Sequence, residues 1–204
     1  MGTSQEVVNM NLITTVGKIT EHFNASEFKC SCCGTIKIDK IFVERLEKFY
    51  GELSKLPCGI KYVYINSGYR CNNSSARIKG AFIGDMHNVG AAADLYAVGK
   101  DGKRIDAMTL CEVAQKCGFG GIAVIDNSTN WPAIHVDDRQ RDDITYANKL
   151  WYGNEATGES YKTFVGKSKY TTQIWAKEKE KVKKTIEVIL DIEGHKYSGL
   201  LEEK

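Results

Sequence analysis

The sequence predicts an α+β fold: a small antiparallel sheet with helices packed on one side, followed by a C-terminal β-hairpin extension. Two amphipathic helical stretches, each opened by an aspartate cap, alternate with short runs rich in β-branched and aromatic residues, and the character of the chain changes after Phe164. Residues 1–20 show no regular pattern and read as a lead-in. Asp39 is a good N-cap for a helix that places Phe42, Leu46, Phe49, Tyr50 and Leu53 on one face. Pro57 and Gly59 end it, and Lys61 to Asn66 reads as a strand. Ser67 to Gly84 is polar and irregular. A second strand starts at Asp94, and Val98 to Lys103 is a turn signal. Asp106 caps a second helix, with Ala107, Leu110, Cys111, Ala114 and Cys117 inward and Gly118 as its stop. Gly121 to Ile125 and Ala133 to Val136 are two further short strands. Gly166 to Lys169 reads as linker, and Lys177 to Lys181 as a solvated charge run. Thr185 to Ile192 and Tyr197 to Leu201 flank a turn that contains His195, a hairpin with a surface histidine. A lone hairpin is marginal in water, so it is expected to dock on the main domain or to self-associate with a second chain. The domains are therefore 1–20, 21–165 and 166–204.

A chain of 204 residues can bury a proper core in one domain. Its hydrophobic content of 42% and charged content of 26% are those of an ordinary globular protein. A net charge of +2 makes no case for nucleic acid as a partner. No segment approaches the roughly 20 apolar residues of a membrane helix, so no membrane partner is expected. The first residues lack a basic region followed by an apolar run, and Glu6 stands where a myristoylation motif wants Ser or Thr. The chain is thus expected to start in a cytoplasm. Seven cysteines cannot all pair within one chain. Cys30, Cys32 and Cys33 form a C-x-C-C cluster that matches no common zinc-ribbon spacing. A second metal site with Cys58 or Cys71 is one reading, and reduced thiols, some of them in the core, are the simpler one.

The chemistry gathers around three residues. His87 and Asp94 stand in H-x-x-G-x-A-x-D, where Gly90 and small alanines let the backbone turn closely, and His135 lies in Ala133-Ile134-His135-Val136-Asp137. Imidazole nitrogen and carboxylate oxygen suit Zn2+, and a catalytic zinc takes three protein ligands and keeps a fourth position open. Two His and one Asp leave a net positive charge there, which suits a hydrolase. The zinc site is expected on the sheet. His135 and Asp137, two apart in a strand, share one face.

The run Ser67-Gly68-Tyr69-Arg70, the stretch from Asp85 to Asp94, the segment Gly118 to Ile122 and Ile134 to Asp137 together resemble the zinc D-Ala-D-Ala carboxypeptidase family, which includes phage endolysin peptidases. Phe23 to Cys30 is similar to the start of these domains, and the resemblance spans roughly residues 20 to 140. It implies hydrolysis of a peptide bond in the stem peptides of peptidoglycan, with zinc held by His87, Asp94 and His135. Arg70 would bind the substrate carboxylate or polarise the scissile carbonyl, with Ser67 beside it; a salt bridge to an acid such as Asp94 is the structural alternative. Without a secretory signal, the expected route to the cell wall is release by lysis or delivery on a phage particle.

Two positions depart from the family. Asp85 stands where a Ser is usual, and adds an acceptor near the substrate or points to solvent. Pro132 occupies the place where relatives carry a general-base Glu, so the base must come from elsewhere. Asp126 and Asp137 are the candidates, with Asp126 as base and Asp137 as the carboxylate that orients a ligand; capping of the loop is the alternative for Asp126. The competing function is a zinc-binding structural or wall-binding module of a phage particle, with catalysis lost.

Overall fold

A computed structural model describes residues 12–78, 81–128, 130–146 and 148–168. The expected hairpin and His195 lie outside the described residues, as does Lys169 of the linker. Asp39 caps α1 (Lys40–Leu53) by accepting from Phe42 N at 2.9 Å, and Asp106 caps α4 (Ala107–Cys117) by accepting from Thr109 N at 2.9 Å. Both caps satisfy backbone donors that the first helical turn leaves unpaired. Gly118 takes the left-handed conformation that closes α4. Phe42, Leu46, Phe49 and Leu53 are buried as the spacing predicts, and Phe119 packs edge-on against Phe42 and Phe49. Two helices of four residues each, α2 (Asn72–Ser75) and α3 (Met86–Val89), lie between them.

The lead-in is tied to the domain from Leu12 onward. Strand β1 (Leu12–Ile13) pairs with β2 (Ile38–Asp39) in a two-stranded ribbon. The main sheet contains β3 (Tyr62–Ser67), β4 (Ala92–Val98), β5 (Gly121–Asp126), β6 (Ala133–Asp137), β7 (Trp151–Asn154) and β8 (Glu159–Ser160), in the order β3-β4-β6-β5-β7-β8. The expectation of a small antiparallel sheet is corrected in two respects. There are six strands, and β5 runs parallel to β7. Strands β7 and β8 are short, and Gly153 interrupts β7, so neither shows an alternation that could have announced it. The first three described residues of the expected linker are also docked: Gly166 N and Ser168 N both donate to the Glu112 carboxylate on α4.

Alternation divides the sheet into two faces. Leu95, Ile122, Val124, Ile134 and Val136 are fully buried, and α4 packs on that side with α1 against it. The opposite face carries Asp94, Tyr96, His135 and Asp137. Two bulges add to it. Cross-strand partners share a face, and the pairing steps from Ile65–Leu95 to Ser67–Asp94, which turns Ser67 to the side of Asp94. It steps likewise from Val124–Ile134 to Asp126–Ala133, which turns Asp126 to the side of His135. Strict alternation from the buried Val124 would have pointed Asp126 into the core. Among the described residues, no helix is long and apolar enough to cross a membrane.

Candidate metal centre

His87 reaches this second face of the sheet from α3, a single turn that the sequence does not announce because four residues carry no periodicity. Asp85 caps it, accepting from Asn88 N at 3.0 Å and lying 3.5 Å from Ser75 Oγ. Gly90 ends it at φ 83°, where a Cβ would stand 2.5 Å from Lys37 O. The chain then enters β4, and Asp94 pairs directly across from His135 on β6. Strand register alone thus places a carboxylate and an imidazole face to face, and α3 brings the second imidazole above them.

The three ligand atoms form a tight triangle. His135 Nδ1 is 2.9 Å from Asp94 Oδ1, His87 Nε2 is 3.3 Å from the same oxygen, and the two nitrogens are 3.2 Å apart. Bonds of about 2.0–2.1 Å to a tetrahedral zinc place its ligand atoms roughly 3.3–3.4 Å from one another. The tautomers fit as well. His87 Nδ1 lies 2.7 Å from Gly68 O, an acceptor only, so the proton is on Nδ1 and the lone pair is on Nε2. His135 Nε2 donates to Asp137 Oδ2 at 3.0 Å, which turns the Nδ1 lone pair inward. Once His135 Nδ1 gives up its proton, two nitrogen lone pairs and one carboxylate oxygen converge on one point. That arrangement repels itself unless a cation sits between them, and the residues fit zinc.

The surrounding charges favour a cation at this point. Asp137 is fully buried and accepts from Arg139 Nε at 2.9 Å and Arg139 N at 3.0 Å. Burial opposes the charge on Asp137, but His135 and Arg139 hold its pKa well below the carboxylate range. Burial likewise opposes a proton on His135, yet hydrogen bonds to Asp137 and Asp94 and their charges push its pKa up to about 10. A divalent cation bound there would take the place of that proton. Zinc loading at neutral pH is accordingly expected to release about one proton per chain. Calorimetry in buffers of different ionisation enthalpy measures this, and a buffer-independent heat would show that His135 binds zinc already deprotonated. Trp151 packs edge-on against the His135 ring at 6.1 Å and lies under the Arg139 guanidinium.

Gly121 is part of the same support, since a Cβ there would run into the Asp137 carboxylate. Gly121→Ala is expected to push Asp137 off His135, with a stability cost of about 1–3 kcal/mol and a loss of zinc affinity of roughly 10- to 100-fold. Chelator competition and thermal melting measure both, and wild-type affinity would show that Asp137 does not orient the ligand.

The other expected site residues divide. Arg70 donates to Asp94 Oδ2, the oxygen not facing the imidazoles, and its Nε donates to Ser67 Oγ at 3.0 Å. One carboxylate thus serves both the guanidinium and the metal position. Asp137 joins His135, whereas Asp85 is engaged in its cap. Asp126 is half-buried and shares the face of His135, one pair further along the strand. It accepts from Ser128 N at 2.7 Å and, among the described residues, makes no hydrogen bond to the triad. Hydrogen bonds to Ser128 hold its pKa below the usual carboxylate value. Four contributors were given no site role from the sequence: Gly68, Gly121, Arg139 and Trp151. Arg139 had a signal, because continuing the strand alternation from His135 through Asp137 reaches it.

The family model described as Peptidase M15 matches residues 12–137, more than half of the chain. No curated protein and no solved structure matches the chain.

Proposed function

The chain belongs to the peptidase M15 family, a family of zinc metallopeptidases, and on that premise we propose that it hydrolyses a peptide bond in the stem peptides of peptidoglycan. The observation that carries this reading is the convergence of His87 Nε2, His135 Nδ1 and Asp94 Oδ1 within 3.3 Å of one another on the face of the sheet opposite α4. When bound, zinc supplies a Lewis acid that polarises the scissile carbonyl and acidifies water. The remaining roles belong to the chain. Gly68 and Asp137 keep both imidazoles in the ligating tautomer. Arg70, anchored by Ser67 and Asp94, offers its remaining N–H groups to a substrate carboxylate or to the carbonyl oxygen as charge develops on it. Asp126 takes the proton from the attacking water and returns it to the leaving amine, exchanging its bond to Ser128 when substrate enters. Further along the same face, Arg104 is sandwiched between Tyr96 at 3.8 Å and Trp131 at 4.4 Å. It provides a second cation for a peptide with more than one carboxylate.

Incubation of the zinc-loaded protein with purified peptidoglycan, followed by mass spectrometry of the soluble fragments, tests the reading. New amino termini within stem peptides are expected. Intact peptidoglycan in the presence of a fully metallated protein would sink the enzyme and favour a zinc-binding wall module.

A further inference from the structure

We propose that Cys30, Cys33 and Cys71 form a second zinc site, structural in kind, which ties residues 28–34 to the segment carrying Arg70. Their sulfur atoms lie within 4.8 Å of one another. Thiolates bound at about 2.3 Å to a tetrahedral zinc stand roughly 3.8 Å apart, so small rotations of the side chains bring them into place.

The C-x-C-C cluster matches no zinc-ribbon spacing when taken whole, but the fold selects a different pair from it. Cys30 and Cys33 face Cys71, and they form a C-x-x-C followed by Gly34 at φ 76°. That pattern suits a turn presenting two sulfurs to one metal. Gly34 N donates to Cys30 O at 2.9 Å, and Cys30 N donates to Thr35 O at 2.9 Å, which closes the turn. Cys71 N donates to the Cys30 sulfur from the other segment at 3.4 Å. A donor to that sulfur favours the thiolate, the form that binds metal. Cys32, exposed on the same turn, is not one of the three converging sulfurs, and the fourth position is left to water. Three thiolates select zinc over the hard cations. A disulfide would use two of these sulfurs and leave a third against the bond.

The position explains the purpose. Tyr69 N donates to Phe28 O at 2.9 Å, and Gly68 is pressed so closely on Phe28 that a Cβ would stand 2.5 Å from its Cα. The two joined segments therefore meet beside Gly68, which holds the tautomer of His87, and Arg70 directly precedes Cys71. A metal on the thiolates would brace both.

The test is metal content by mass spectrometry of the full chain, purified under reductant and loaded with zinc. About two zinc ions per chain are expected in the wild type, falling by one in Cys33→Ser and by one in His135→Ala, with Cys58→Ser unchanged. Cys33 is exposed, so serine there is compatible with folding. Cobalt substitution gives an independent reading: a sulfur-to-cobalt charge-transfer band in the near ultraviolet, present in His135→Ala and absent in Cys33→Ser. The proposal is overturned by one zinc per wild-type chain that His135→Ala removes, by cobalt-loaded His135→Ala lacking the band, by a chain two hydrogens lighter without reductant and free of metal at these cysteines, or by iron–sulfur absorption. The histidine site is read separately, by the zinc that Cys33→Ser retains and His135→Ala loses, so failure of the thiol site and failure of the histidine site are distinguishable.

Discussion

Replacing His135 by alanine is expected to empty the histidine site and to lower peptidase turnover roughly a thousandfold or more. The ligand triangle has three corners, and the alanine variant keeps only His87 Nε2 and Asp94 Oδ1. Two ligands do not hold a catalytic zinc against water, and the Lewis acid that leaves with it is worth several kcal/mol of transition-state stabilisation. Each 1.36 kcal/mol is a factor of about ten in rate, so three powers of ten correspond to about 4 kcal/mol. The variant should nevertheless fold. Asp137 keeps its bonds from Arg139, and Asp94 keeps Arg70, so neither carboxylate is left without a cation. Zinc content, turnover on peptidoglycan fragments and thermal melting separate these effects. A folded His135→Ala protein that hydrolyses at the wild-type rate would show that the catalytic metal is bound elsewhere.

The reach of the sequence is clear from particular residues. Asp39 and Asp106 announced both long helices because a cap acts locally and an apolar stripe over three turns has a period that can be counted. His87, Asp94 and His135 could be singled out by residue type and spacing. That they meet depends on β4 lying next to β6, a pairing no local pattern encodes. The face of Asp126 was hidden for a different reason. Alternation within β5 points it to the core, and only the bulge against Ala133 reverses it. Gly121 and Gly68 matter through what a side chain would strike, the Asp137 carboxylate in one case and the Phe28 backbone in the other. Such steric roles become visible only when the partner is in place. The thiol cluster shows the same limit, since Cys71 joins Cys30 and Cys33 only because β3 returns the chain beside them.

Asp126→Asn is expected to reduce turnover by roughly 10²- to 10⁴-fold, the usual yield of a positioned general base, while zinc content stays at the wild-type level. The argument proceeds from what the other carboxylates are doing. Asp94 is shared between the imidazoles and Arg70. Asp137 is enclosed by His135 and Arg139, and protonating it would release the imidazole it orients. Asp85 accepts the N–H of Asn88 in the helix that carries His87. Asp126 alone among these four stands on the metal face with a side chain engaged only by its own loop. Pro132, at the position where the sequence resemblance leads one to expect a base, has no proton to exchange. The bond from Ser128 keeps Asp126 ionised, the form a base requires, and keeps its basicity low until that bond is given up. Asparagine can still accept from Ser128 N, so the loop should hold its shape and the loss should fall on turnover rather than on substrate affinity. The acid limb of the pH–rate profile supplies a second reading, because removing the base removes its ionisation from that limb. If Asp126→Asn turns over normally with an unchanged profile, the base is not Asp126. Asp85→Asn, which keeps a cap acceptor but loses the carboxylate, is then the variant expected to show the loss.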